Sequence, residues 1–151
     1  MENERKEIIV AVSGGFDPIH PGHVRLINEA KKLGDKLIVI LNNDNWLRLK
    51  KGKFFMSEGD RREVLMALAS VDDVVITCHE DGTCDLSVSE DLRRLRPHVF
   101  ANGGDRKADD VDLPPSEYGV CDELGIKMVF NVGEGGKINS SSDLLKKYHE
   151  E

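Results

Sequence analysis

Two histidines near the start of the chain have the spacing and the neighbours of an anion site. His20 and His23 flank a Pro-Gly pair and follow an apolar run that ends in Gly14 and Gly15, which permit a sharp turn. Two side chains three positions apart share one face of a helix, and a helix beginning here would add free backbone N–H groups and the positive end of its dipole. This arrangement predicts a phosphate site in which both imidazoles donate hydrogen bonds to an anion that gains charge during a reaction.

A plainer interpretation is that one histidine caps the helix and the other lies on the surface. That interpretation suits isolated histidines better than a pair inside a glycine-rich loop between a strand and a helix. A protein-held metal is the competing chemistry, but the His-x-x-His sequence here lacks the neighbouring Glu of a zinc peptidase, and no cysteine is close to it. We therefore predict no metal site in the protein itself.

The segments that must position these histidines alternate between short apolar runs and helical periodicity. Strands are predicted over residues 8–12, 37–41, 74–77, 99–101 and 128–132. Helices are predicted over residues 24–33, from Ser57 onwards, from Ser87 or Ser89 to about residue 96, over 115–124 and over 140–148, with an irregular basic loop up to residue 56. Such alternation predicts one domain, residues 1–151, built on a doubly wound, five-stranded parallel sheet of the α/β class.

Four clusters of polar, glycine-rich or basic residues follow predicted strands rather than helices. Ligands of doubly wound sheets bind outside the carboxyl ends of the strands, so these clusters should meet at one edge. Besides the histidine loop, they are the segments 102–106 and 133–142 and a basic segment with Arg48, Lys50, Lys51, Lys53, Arg61 and Arg62. The basic segment fits a phosphate site and a solvated, charged loop equally well.

Length, charge and cysteine content exclude several classes of protein. The chain has 151 residues and a net charge of -7, which is a poor balance for binding a nucleic-acid backbone. No apolar run approaches the roughly 20 residues of a membrane helix, and the charged N-terminus does not resemble a signal peptide. Three cysteines without a Cys-x-x-Cys pair indicate reduced thiols. We expect a cytoplasmic protein that binds neither nucleic acid nor membrane.

The histidine loop resembles the HxGH motif of the cytidylyltransferase-like nucleotidyltransferase superfamily. Three further motifs of that superfamily have counterparts in the same order along the chain. The matching residues are Gly14, Phe16, Asp17, His20, Gly22 and His23, then residues 51–65, residues 102–105, and Ser140, Ser141 and Ser142 in place of a Ser-Thr-Thr motif. The resemblance implies a Rossmann-like (HUP-type) fold and an enzyme that transfers a nucleoside monophosphate from ATP or CTP to a phosphorylated small molecule, releasing pyrophosphate.

The resemblance also implies a role for each matching residue. His20 and His23 would contact the nucleotide phosphates as these gain charge. Lys51 or Lys53 would close over the phosphates, and Arg61 would bind them as well. Mg²⁺ would arrive bound to the nucleotide, and the enzyme would be a homodimer. The remaining nucleotide contacts would come from Gly14, Gly15, Phe16, Asp17, Gly22, Asn102, Gly103, Gly104, Asp105, Lys137, Ser140, Ser141 and Ser142.

One departure from the glycerol-3-phosphate cytidylyltransferases and one similarity to heptose-1-phosphate adenylyltransferases favour a sugar 1-phosphate, such as heptose 1-phosphate, as the acceptor. Lys137 occupies the region where glycerol-3-phosphate cytidylyltransferases carry an arginine. The Gly-Gly-Asp sequence at residues 103–105 is more similar to heptose-1-phosphate adenylyltransferases. The alternatives are a cytidylyltransferase acting on glycerol 3-phosphate or another alcohol phosphate, and a nucleotide-binding sensor that keeps the fold without turnover.

Two features outside the motifs stay open between a structural role and a contact with substrate. His79, Glu80 and Asp81 follow the third predicted strand and are expected to form a solvated loop, although an acceptor would be able to reach them. Trp46, in a polar loop, is expected either to anchor local packing or to cover the substrate.

Overall fold

The described residues of the computed structural model, 6–83, 85–103 and 115–133, contain five strands and five helices. The five strands form one parallel sheet in the order β3-β2-β1-β4-β5, which confirms the predicted doubly wound α/β sheet. Along the chain the elements are β1 (Ile9–Gly14), α1 (Pro21–Lys31), β2 (Lys36–Leu41), α2 (Asp44–Lys51), α3 (Glu58–Met66), β3 (Asp73–Ile76), α4 (Ser89–Leu95), β4 (Val99–Gly103), α5 (Pro115–Leu124) and β5 (Lys127–Val132).

The sheet is buried on both faces, as its nearly continuous apolar strands predict. Val12 of β1 packs in one core cluster with Ile27 of α1 and Leu65 of α3. The preceding residue of the same strand, Ala11, faces the opposite cluster, which includes Leu92 of α4. Burying an aliphatic side chain fully stabilises a fold by roughly 1.5–3 kcal/mol, so the two clusters hold the strands, and therefore the strand ends, in fixed positions.

The strand order places a topological switch point between β1 and β4. The chain runs outward from β1 through β2 to β3, then crosses back to pair β4 with the other side of β1. Loops on the two sides of such a point lead away in opposite directions and leave a crevice at the carboxyl ends of the strands, where ligands bind. In this chain the crevice lies between the loop that follows Gly14 and the end of β4 at Gly103.

Helix α2 corrects the prediction of an irregular loop after the second strand. The polar run at residues 42–45 is typical of a turn, but Asn43 is the N-cap of a helix and its side chain accepts a hydrogen bond from Trp46 N–H at 3.0 Å. Gly52, with φ of +85°, ends the helix in the left-handed conformation that favours glycine. Ser57 caps α3 as predicted, because its hydroxyl accepts from Asp60 N–H.

Helix α4 ends near residue 96 as predicted, but neither Ser87 nor Ser89 caps its start. Val88 occupies the N-cap position and makes no side-chain capping bond, while its N–H donates to a Glu117 carboxylate oxygen at 2.9 Å. The two serine hydroxyls bond each other instead. The predicted helix over residues 140–148 lies outside the described residues. Within the described part, no helix combines the length and the apolar surface that crossing a bilayer requires.

Candidate active site

His20 and His23 cap the N-terminus of α1 reciprocally. His20 is the N-cap residue, in an extended conformation, and its Nδ1 accepts a hydrogen bond from Gly22 N–H at 3.1 Å. His23 Nδ1 in turn accepts from His20 N–H at 3.3 Å. The two imidazoles therefore take the places that Ser and Glu have in an ordinary capping box, with Pro21 at the first helical position.

The protonation of the pair follows from this capping. Because each Nδ1 is a hydrogen-bond acceptor, the proton of each neutral ring is on Nε2. The rings are stacked, with 3.8 Å between the centroids of His20 and His23. Burial, the neighbouring His20 and the charge of Lys51 lower the pKa of His23 to about 3. At neutral pH, His23 is thus an uncharged N–H donor.

Two glycines lie in tight contact with the rings around the pair. A Cβ added at Gly22 would lie 2.8 Å from Cε1 of His20, so any larger residue would displace that ring. The Phe16 ring meets His23 edge-on, with 4.8 Å between centroids, and a Cβ at Gly14 would lie 3.1 Å from Phe16. Glycine at position 22 therefore leaves room for the His20 ring, and glycine at position 14 leaves room for Phe16, which packs against His23.

A cavity of about 190 Å³ lies at the switch point between β1 and β4. It brings together residues from two of the four predicted clusters, the histidine loop leading into α1 and the segment at the end of β4. The cavity is lined by Ser13, Gly14, Phe16, His23, Leu26, Ala101, Asn102 and Gly103.

Asp17 has a structural environment that does not fit the predicted nucleotide contact. The residue is 3% exposed. Its two carboxylate oxygens accept hydrogen bonds from Phe55 N–H at 2.6 Å and from Met56 N–H at 2.7 Å. Asp17 therefore ties the histidine loop to the end of the basic segment.

Arg61 also differs from the prediction that it binds phosphate, because its guanidinium is inside the protein. The residue is 1% exposed. Its Nε donates to Met56 O at 2.9 Å, and its Nη1 donates to Gly15 O at 2.8 Å and Asn42 O at 2.6 Å. Its Nη2 pairs with Asp44 at 2.8 Å. These four bonds engage most of the five donors of the side chain, so Arg61 joins the loops that follow β1 and β2.

The spacing of Arg61 and Leu65 in the sequence indicates that Arg61 is buried, although the neighbouring basic residues favour a phosphate contact instead. Arg61 precedes Leu65 by four residues, and the two therefore lie on one face of α3. Both are buried against the sheet. A charged residue on the apolar face of a helix, near acceptors at two strand ends, indicates an internal ion pair as readily as a ligand contact.

The two candidate lysines differ in their relation to the histidines. Lys51, the last residue of α2, lowers the pKa of His23 by its charge, and Lys53 lies beyond the helix end at Gly52. Trp46 anchors packing, one of its two predicted roles: its Nε1–H donates to Leu86 O at 2.8 Å, and Lys50 lies over its ring.

Several predicted residues fall outside the part of the chain that the structure describes: Gly104, Asp105, Lys137, Ser140, Ser141 and Ser142. Within the described ranges, no group of three His, Cys, Asp or Glu side chains is placed to bind a metal ion.

Comparison with known proteins identifies one protein family, curated relatives and a solved structure to which this chain is similar. The family described as cytidylyltransferase-like matches residues 11–126. An FAD synthase from Pyrococcus horikoshii is 44% identical over 114 residues, which make up 75% of this chain and 73% of that protein. The bifunctional protein HldE of Syntrophotalea carbinolica is 36% identical over 129 residues, 82% of this chain but 25% of that protein. The crystal structure of a lipopolysaccharide core biosynthesis protein from Thermoplasma volcanium superposes with a TM-score of 0.66 at 27% identity and covers 85% of this chain and 98% of that one.

Proposed function

The chain belongs to the cytidylyltransferase-like family and is a nucleotidyltransferase, and from that premise we propose that it transfers AMP from ATP to FMN, forming FAD and pyrophosphate. The observation that carries the proposal is the stacked pair His20 and His23, whose Nδ1 atoms are both held by backbone N–H groups at the start of α1. The identity of 44% to an FAD synthase supports this choice of nucleotide and acceptor.

The reaction needs no protein nucleophile. The phosphate of the acceptor is largely ionised at neutral pH, since the second pKa of a phosphate monoester is about 6. One of its oxygens attacks the α-phosphorus of ATP, a new P–O bond forms, and the bond to the β-phosphate oxygen breaks. Pyrophosphate leaves with that electron pair. Catalysis of this kind consists of positioning and of stabilising charge on the phosphate oxygens.

The histidine pair is suited to that second task. Each Nε2–H would donate to a phosphate oxygen, and the N-terminus of α1 would add its dipole. The positive charge of Lys51, which lowers the pKa of His23, would also stabilise the negative charge of the same phosphates. Because an anion beside an imidazole favours its charged form, bound nucleotide would raise the pKa of His23 from its low value. Arg61 and Asp17 would act indirectly by holding the loops.

The roles of the predicted residues that lie outside the described ranges, and of Gly103, are implied by the resemblance to the nucleotidyltransferase superfamily. Ser141 and Ser142 would hold the β- and γ-phosphates, with Ser140 and Lys137 nearby, and Asp105 and Gly103 would lie near the nucleoside. Mg²⁺ would enter with ATP as part of the substrate, coordinated by the phosphates. The homodimer implied by the resemblance stays a prediction, which sedimentation of the purified protein tests.

A sugar 1-phosphate is the second candidate acceptor. The similarity to HldE over 82% of this chain and the resemblance to a lipopolysaccharide core biosynthesis protein favour it. The sequence features that favour heptose 1-phosphate over other acceptors are residues 103–105 and Lys137 alone. The FAD synthase match outweighs that preference, because it combines higher identity with coverage of most of both proteins.

A pyrophosphate-release assay with ATP or CTP and each acceptor tests the proposal. We expect turnover with ATP and FMN, with FAD identified by chromatography, and little turnover with CTP, heptose 1-phosphate or glycerol 3-phosphate. Turnover with a sugar phosphate and none with FMN would replace the acceptor. Tight binding of ATP without turnover on any acceptor would instead indicate the nucleotide sensor.

A further inference from the structure

A second cavity, of about 270 Å³, opens where β3 ends. We call it the β3 cavity and define it by His79, Glu80, Asp85, Ser87, Glu90 and Asp91. It lies at the same sheet edge as the histidine pair, because the strands are parallel and both sites follow strand carboxyl ends. The segment expected to be a solvated loop therefore forms one wall of a cavity.

That wall is held by hydrogen bonds. The ring of His79 bonds Thr77 Oγ1 through Nδ1 at 2.8 Å and the Ser87 carbonyl through Nε2 at 2.9 Å. The carbonyl of His79 accepts from the side-chain amides of Asn43 and Asn45, at 2.9 and 3.0 Å. The start of α2 thus fixes the cavity wall, and a ligand would meet a site that is already formed.

Asp91 is the most deeply buried carboxyl group of the β3 cavity. The residue lines the cavity and is only 6% exposed. Among the described residues, no side chain donates a hydrogen bond to this carboxyl group. Burial raises its pKa, while the charges of Arg94 and His79 lower it. A buried carboxylate with so few donors is costly unless another donor satisfies it.

Four of the residues that line the β3 cavity are acidic, which determines the kind of ligand that it can bind. Glu80, Asp85, Glu90 and Asp91 offer carboxylate oxygens, which accept hydrogen bonds and repel phosphate. The β3 cavity is therefore complementary to a ligand portion that carries O–H or N–H donors and no negative charge. With the phosphate of an acceptor at the histidines, its uncharged end would lie here.

One side chain separates the two sites. The indole of Trp46 donates to Leu86 O, between Asp85 and Ser87 of the cavity wall. The far side of the same indole reaches the histidine loop, where its Cζ3 would lie 3.3 Å from a Cβ at Gly15. A single elongated molecule that passes along this indole would occupy both sites.

We propose that the β3 cavity is the acceptor-specificity site: it takes the uncharged, donor-bearing end of the phosphorylated acceptor, and Asp91 accepts a hydrogen bond from that end. This assignment rests on the proposed function, in which the acceptor is FMN. The ribityl hydroxyls and the ring N–H of FMN supply the donors. Asp91 would determine which phosphorylated compound is used, while His20 and His23 serve any of them.

Titration calorimetry with riboflavin and with FMN tests the site without turnover, because riboflavin lacks the phosphate. We expect Asp91→Asn to weaken binding of both by about tenfold or more, since hydrogen bonds to charged groups are the stronger ones. In the assay, the same variant should raise the KM for FMN and leave the KM for ATP and kcat unchanged. Asp122→Asn, the same change at an exposed position of α5, is the matched control and should alter nothing.

A second variant covers the case in which Asp91→Asn does not fold. Cys78 is exposed at the cavity rim, so Cys78→Trp should fill the cavity and abolish riboflavin binding, whereas Cys78→Ser should not. Flavin binding that survives both Asp91→Asn and Cys78→Trp would overturn the site assignment alone. Absence of FMN binding to the unsubstituted protein would overturn FMN as acceptor, and the same variants tested with heptose 1-phosphate would then decide on the cavity.

Discussion

The imidazole of His23 is stacked on that of His20, and the Nδ1 of each ring accepts a backbone N–H from the same helix start. Both rings are therefore fixed in orientation and in tautomer before any ligand binds. Such preorganised donors stabilise developing charge without a cost of reorganisation at the moment of reaction. The capping role and the catalytic role, which the sequence presented as alternatives, are compatible in one geometry.

The two histidines should be needed for turnover more than for folding. We expect His20→Ala and His23→Ala each to lower kcat by about 10²–10³, the usual effect of removing one such donor. Steady-state kinetics with ATP and FMN measure this. His98→Ala, at the opposite edge of the sheet before β4, is the control and should keep its kcat. Normal kcat values in both active-site variants would refute this role.

The free energy of unfolding should depend on pH in the acid range because His23 is buried in its neutral form. Its pKa falls from 6.5 to about 3 on folding, so between these values the unfolded chain binds a proton that the folded protein excludes. The free energy of unfolding therefore falls as the pH drops through this window, by about 1.4 kcal/mol per pH unit for one proton. We expect His23→Gln to flatten this slope by up to that amount in urea unfolding at several pH values. An unchanged slope would mean that His23 is not buried in its neutral form.

Much of the fold follows from local sequence. The apolar runs of β1 to β5 predicted every described strand to within two residues, since parallel strands buried on both faces carry little else. Helix α2 does not follow from the local pattern, because Asn43 and Asp44 favour turns and helix caps equally, whereas the burial of Leu47 depends on the assembled fold.

The site was predictable where backbone chemistry dominates and unpredictable where charge is buried. The HxGH loop needs only a glycine turn and a helix start, both visible in sequence. Asp17 and Arg61 instead bond backbone groups 38 and 46 residues away, at Phe55 and Gly15 respectively. Whether a charged side chain faces a ligand or such distant backbone depends on the assembled sheet, which no local pattern contains.

Replacing Arg61 should lower the free energy of unfolding rather than weaken the binding of ATP directly. Arg61→Met removes one partner of a buried ion pair and leaves Asp44 and the Gly15 and Asn42 carbonyls without their donor. We expect a loss of about 3–5 kcal/mol in the free energy of unfolding, measured in urea. Arg62→Ala, next to it but exposed, should change stability by less than about 0.5 kcal/mol. Unchanged stability in Arg61→Met, together with weaker ATP binding, would contradict this role and support the prediction that Arg61 contacts phosphate.

Gly22 should be required by the ring of His20 rather than by helix formation. Gly22→Ala places a Cβ 2.8 Å from that ring and should lower kcat, because the Nε2 donor moves. Gly59→Ala is the matched control on α3, where nothing lies within 4 Å of the added Cβ. That change should keep kcat and raise stability by up to about 1 kcal/mol. Equal kcat values for the two variants would contradict the steric explanation.

A crystal structure with a non-hydrolysable ATP analogue tests the central claim most directly. We predict that Nε2 of His20 and Nε2 of His23 each lie within about 3.2 Å of a phosphate oxygen, the range of a hydrogen bond, with Lys51 closer to the phosphates than Lys53. Phosphates bound away from the start of α1, or histidine rings that keep their Nε2 atoms on protein partners while the nucleotide is bound, would contradict it.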